Sequence, residues 1–222
     1  MHQIGVREVV HVAGLTFNSE TLIMTWITMA IVLLIAYFAT RNLSVDRPTG
    51  CQNVVEIIVE MLHGQMDAMM GVSGRNILAP FVICLFMFIL ISNWLGLVPK
   101  MASPTNDMNT TLGLAASVVL MIHFTGLRVK GLKHFKKFVE PFPVFLPINL
   151  IEEVAKPITL AFRLFGNILA GEILIIILLK LIPWWMPIPS VCWLAFSIFV
   201  GGVQAFIFTL LSVTYLSESV EE

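Results

Sequence analysis

Charge is scarce in this sequence. Of 222 residues, 13 are Lys or Arg and 14 are Asp or Glu, together 12%, against roughly 25% in a soluble globular domain. So large a deficit excludes a chain whose surface is mostly in water. The net charge of −1 gives no basic field for nucleic acid. Cysteine is also rare: Cys51, Cys84 and Cys192 are odd in number and show no CxxC spacing. They are expected as small buried apolar side chains rather than disulfides or metal ligands. Neither GxxxxGK[ST] nor GxGxxG occurs, so the common phosphate-cradling loops are missing. HExxH and GxSxG are missing too, and the five histidines are scattered. No cofactor, metal site, internal repeat or low-complexity segment is expected.

What is present is apolar: 58% of the residues are hydrophobic, and the mean hydropathy is +0.91. Five apolar stretches fall at 20–40, 77–98, 110–127, 144–181 and 188–216. Each reaches the ~20 residues needed to cross a bilayer as a helix. The first follows Arg7 and Glu8, outruns the apolar core of a signal peptide (about 7–15 residues), and has no small-residue cleavage site after it, so it is expected to be retained. Residues 52–70 differ. Glu56, Glu60, His63 and Asp67 recur at helical spacing, with Val54, Ile58, Met61, Leu62 and Met69 on another face. That pattern predicts an amphipathic helix at the membrane surface. The fold class is therefore an all-α integral membrane protein, one polytopic unit over 1–222. It has about five embedded helices and one interfacial helix, the second and third spans covering 77–127. The stretch 142–181 would be ~60 Å long as a helix, twice the ~30 Å hydrocarbon thickness. It must tilt or bend, with Pro147 and Pro157 as the natural bend points. With the last stretch it reads as a long, strongly tilted hairpin over 142–216.

Basic residues set the orientation. Arg41, Arg47, Arg75, Arg128, Lys130, Lys133, Lys136 and Lys137 fall on one side if each stretch crosses once; Arg7, Lys100 and Lys180 fall on the other. The first group belongs in the cytoplasm. The N-terminus is then outside and the C-terminal SESVEE inside, with Trp94, Trp184 and Trp185 near the outer interface.

One charge has no loop to belong to. Arg163 sits in ITLAFRLFGNILAGEILIII, far from either end. Arginine at a helix centre costs ~2.5–3.5 kcal/mol on insertion scales. An ion pair with Glu172 would offset that, but nine residues at ~100° each put Glu172 on the opposite side of the helix. Gly166, Asn167 and Ala170 share the arginine's face, and small residues let another helix approach closely. Guanidinium keeps its proton, so Arg163 acts as a fixed charge rather than a proton carrier. Other polar residues gather toward the two ends. Asp107, Asn109 and Glu172 lie toward the outer side, and Ser197, Gly201 and Gln204 form a stripe on the last helix. Glu152 and Glu153 lie toward the cytoplasm. Singly, Asp107 and Glu153 also read as ordinary helix-end polar residues.

The segments KPITLAFRLFGNILAGEILIIIL and QAFIFTLLSVTYLS resemble the signatures of the a subunits of F-type ATP synthases. SPTNDMNTTLGLA, RPTGCQNVVEIIVE and LPINLIEE resemble further parts of that family, so the likeness covers most of the chain from about Arg47. It implies a proton-translocating stator subunit of a bacterial plasma membrane, held against a c-subunit ring and the b-subunit peripheral stalk. Arg163 matches the family's essential arginine. Asn167, Glu172 and Gln204 match polar positions of the outer half-channel and ring interface, with Asp107, Asn109 and Ser197 beside them. Either Glu152 or Glu153 matches the acid of the cytoplasmic half-channel. Some members carry a histidine where this chain has Ser197, which implies an outer relay through Glu172 and water. The coupling ion, H+ or Na+, would be set by the ring's carboxylate site.

Other readings fit less well. A transporter acting alone needs a complete path and usually an inverted repeat. An intramembrane enzyme needs a catalytic motif. A purely structural subunit leaves Arg163 unexplained.

Overall fold

The computed structural model describes residues 9–12, 15–41, 50–98, 101–131, 146–181 and 188–220. Arg7, Arg47, Lys100, Lys133, Lys136, Lys137, Trp184 and Trp185, invoked above for orientation, lie outside the described residues. A short antiparallel hairpin, β1 (Val9–Val12) and β2 (Leu15–Asn18), precedes five helices. These are α1 (Ser19–Thr40), α2 (Cys51–Leu95), α3 (Met108–Lys130), α4 (Leu146–Leu181) and α5 (Ile188–Val220). The hairpin is the one departure from all-helical structure among the described residues. Each helix contains a stretch long and apolar enough to cross a membrane.

Apolar side chains surround α1 on nearly every side, and Trp26, Leu33 and Phe38 are exposed. That suits a helix facing lipid, where outward apolar surface costs nothing. Two of its threonines are satisfied within the helix: Thr25 and Thr28 donate to the carbonyls of Thr21 and Met24 at 2.7 and 2.9 Å. Polar groups in hydrocarbon require such partners.

Within α2 the surface helix expected at 52–70 and the second span are two helices that meet at a kink, where Gly71 has a non-helical backbone. Gly71 has φ 67°, a conformation that glycine adopts without steric cost. Across the bend Arg75 reaches Asp67 at 2.6 Å. Before the bend, Leu62, Met66 and Met70 turn inward and are buried, whereas Val54 and Met61, expected on the same apolar face, are exposed. The central core joins Leu78, Val82 and Ile89 of α2 to Val118 and Ile122 of α3, Leu160 and Leu164 of α4, and Phe208 and Leu216 of α5. Without a hydrophobic driving force in lipid, close packing must hold helices together. Ala115, Ala161 and Ala205 are accordingly buried in the contacts, and Gly201 lies so close to Asn93 that a Cβ there would stand 3.3 Å from the Asn93 Cβ.

A turn of 3-10 helix, Pro104–Asn106, leads into α3. Asp107 caps α3, its Oδ1 accepting from the Asn109 backbone N–H at 3.0 Å. Pro157 was a candidate bend point, yet α4 is helical through it for 36 residues, ~54 Å of helix. That still exceeds the ~30 Å of hydrocarbon. The cysteines correct an expectation: Cys51, Cys84 and Cys192 are free but exposed. Burial preferences learned from water-soluble cores do not bind a small apolar side chain on a lipid-facing helix.

Candidate functional site

The long helix α4 carries three ionisable positions that organise the site. Glu153, Arg163 and Glu172 are ten and nine residues apart, so the two carboxyls are separated by ~28 Å along the axis with the arginine near the middle. That separation is close to the ~30 Å thickness of the hydrocarbon core.

Arg163 is exposed on the surface of the chain and makes no hydrogen bond or ion pair among the described residues. The exposed stripe around it runs Glu152, Ala155, Thr159, Arg163, Gly166 and Ala170, one to each turn of helix. Its residues are small except for the charges. Leu160, Ala161 and Leu164, on the other face, are buried in the core and fix the helix orientation. Asn167 is half-buried. Arg163 and Glu172 are not brought together, as the helical geometry required.

Toward one end of α4, Glu172 meets the 3-10 turn. The amide of Asn106 donates to Glu172 Oε2. Asn106 was not among the expected site residues, and its position next to Asp107 in the PTND sequence was the available signal. Asp107, expected in the outer path, is buried, and its Oδ2 accepts from Thr21 of α1 at 3.1 Å and from Asn18. With its capping bond, Asp107 ties α1 to α3. Asn109 is exposed. The Ser197, Gly201 and Gln204 row of α5 turns partly inward. Gly201 and Gln204 are buried and Ser197 half-buried. Gly201 offers its carbonyl to Asn93 at 3.0 Å, while Gln204 Nε2 has no partner among the described residues. The side chain of Ser197 makes no hydrogen bond among the described residues.

Toward the other end lies a second cluster. Glu153 is 4.0 Å from His123 of α3 and 3.7 Å from Lys156. Lys156 also reaches Glu218 of α5 at 2.9 Å and lies over the Tyr215 ring at 5.3 Å. Glu152 points outward, its side chain 67% exposed, 3.8 Å from Lys156. Of the two candidate glutamates, Glu153 is therefore the one drawn among other helices. His123, Lys156 and Glu218 were missed. The Glu153–Lys156 spacing was visible in the sequence; the partners on α3 and α5 were not.

A multi-pass helical protein with ionisable groups retained at three depths of one helix belongs to the class that moves ions across membranes. The comparisons name the kind. The family model described as ATP synthase A chain matches residues 22–217. The ATP synthase subunit a of Desulforamulus reducens is 48% identical over 214 residues, covering 94% of this chain and 82% of that protein. The chain belongs to the ATP synthase A chain family. It is a proton-translocating stator subunit, a non-catalytic membrane component of the F-type ATP synthase complex.

Proposed function

We propose that this chain supplies two offset aqueous half-paths for protons, kept apart by the fixed charge of Arg163. A ring of c subunits, each with a membrane-buried carboxyl, docks on the exposed stripe of α4. Small residues at Ala155, Gly166 and Ala170 allow that close approach. Each arriving carboxyl is held ionised opposite Arg163, having released its proton to one half-path and before reloading from the other. The outer half-path runs by Glu172, with Asn167, Gln204, Ser197, Asp107 and Asn109 along or beside it. The cytoplasmic one runs by Glu153, with Glu152 at its exposed margin. The b-subunit stalk holds the assembly still. The chain lies in a bacterial plasma membrane as one unit over 1–222, N-terminus outside and C-terminus in the cytoplasm, with 142–216 carrying the path.

The observation that carries this reading is the exposed Arg163, without a partner among the described residues and flanked by small side chains. A charge that costs this much in lipid needs a counter-charge, and a passing carboxylate provides one. At 100 mV, moving one charge across the membrane is worth ~2.3 kcal/mol, so a modest barrier between the half-paths separates rotation from leak. Arg163→Ala in an assembled complex is expected to abolish proton-driven ATP synthesis and to permit a ring-dependent leak. Substantial ATP synthesis in energised vesicles bearing that variant would overturn the mechanism.

A further inference from the structure

We infer that Asn106 is the positioning residue for Glu172, and that the turn carrying it is built to present this amide to the carboxyl. The inference rests on the reading of Glu172 as a member of the outer proton path.

The turn is unusually well anchored. Ser103 Oγ donates to the Ser92 carbonyl of α2 at 2.8 Å. Thr105 Oγ1 donates to Asn93 Oδ1 at 2.9 Å, and Asn93 in turn donates to the Gly201 carbonyl of α5 at 3.0 Å. The Asn106 backbone N–H closes the turn on Ser103 at 3.1 Å. The next residue, Asp107, caps α3 and accepts from Thr21 of α1. Residues 103–107 are thus tied directly to α1, α2 and α3, and through Asn93 to α5, while the Asn106 side chain reaches the fifth helix, α4, at Glu172. Ser103, Thr105, Asn106 and Asp107 are all buried. A buried network of this kind has few alternative arrangements.

The chemistry of the amide suits a carboxyl that must change charge. An ionised carboxylate only accepts hydrogen bonds, and the Asn106 N–H donates to it. When the carboxyl takes up a proton it becomes a donor, and the carbonyl end of the same amide can accept from it. A lysine in this place would hold Glu172 ionised; a leucine would leave the charged form unsupported in an apolar setting. Asparagine alone among these keeps the carboxyl in one place through both states without adding charge. Glu172 is thereby held at a fixed point on the path while it loads and unloads.

The experiment compares Asn106→Leu, Asn106→His and Glu172→Gln, singly and as the double variant Asn106→Leu/Glu172→Gln, in the whole ATP synthase. ATP-driven proton pumping in inverted vesicles is normalised to the amount of assembled complex. Asn106→Leu is expected to cut pumping about tenfold, the effect of losing one hydrogen bond to a charged group. Asn106→His, which keeps an N–H donor, is expected to recover most of that loss. In the Glu172→Gln background, Asn106→Leu is expected to add no further loss, because its effect passes through the carboxylate. If Asn106→Leu does not assemble, Asn106→Ser, too short to reach the carboxyl, takes its place. Wild-type pumping by the assembled Asn106 variant, or a full additional loss in the Glu172→Gln background, overturns the inference. Wild-type pumping by Glu172→Gln itself overturns the reading on which it rests.

Discussion

Lys156 of α4 donates to Glu218 of α5 at 2.9 Å, and this ion pair joins the two longest candidate spans 62 positions apart in sequence. The ammonium is the more enclosed partner, with 11% of the Lys156 side chain exposed against 39% for Glu218. Lys156 also faces Glu153 and Glu152 at 3.7 and 3.8 Å, so one cation offsets three carboxylates.

Removing that cation leaves Glu153 and Glu218 without their shared counter-charge. Breaking a fully buried pair costs about 3–5 kcal/mol; since Glu218 is part-exposed, Lys156→Met is expected to cost about 1–3 kcal/mol. The readout is the temperature at which this chain dissociates from the purified complex. Lys156→Met combined with Glu218→Leu should recover part of the loss. An unchanged dissociation temperature in Lys156→Met would mean that the pair is incidental.

Glu172→Gln removes a titratable group while keeping a polar side chain of similar size. Proton flow should slow in both directions, synthesis and pumping alike, with the complex still assembled. A rate defect without leak is the expected signature, because in the proposed mechanism Arg163 still separates the half-paths. Proton uptake by vesicles and ATP synthesis, measured on the same preparation, check it. Selective loss of one direction would count against a group shared by both.

Gly96 follows α2 and lies against the turn that carries Asn106. A Cβ built at Gly96 would stand 2.5 Å from the Ser103 Cβ, too close without movement. Overpacking of this kind costs about 1–3 kcal/mol. Gly96→Ala is therefore expected to lower both the yield of assembled complex and the pumping rate per complex, since the displaced turn carries Asn106 away from Glu172. Immunoblotting of the assembled complex beside the pumping assay separates the two effects. Wild-type values for both would show that the turn has room to give.

The topology prediction concerns two loops. A cysteine at position 133 should be reached by an impermeant thiol reagent only in inverted vesicles, and one at position 100 only in intact cells. Cys51, Cys84 and Cys192 must be replaced first, because all three are exposed in the isolated chain. Labelling of position 133 from outside would reverse the orientation.

Composition along the chain was enough to define the spans, because a membrane helix satisfies its own backbone and needs only about 20 apolar residues in a row. The amphipathic stretch before Gly71 was legible for the same reason: a period of 3.6 is a local property. Arg163 was also legible, since an arginine among apolar residues is costly whatever surrounds it. Even its separation from Glu172 followed from helical geometry alone. The tertiary structure decided everything that depends on who faces whom. Nothing local in α4 shows that Glu172 meets Asn106, 66 positions earlier, or that Glu153 rather than Glu152 turns toward His123. Nor does anything local to Asp107 show that Asn18 and Thr21 converge on it. The two predicted helices meet at a kink at Gly71, and a glycine in sequence does not announce its φ. Apolar runs depend on transfer from water to lipid, which each segment undergoes independently. Polar partners depend on distances between helices, and those are fixed only when the bundle packs.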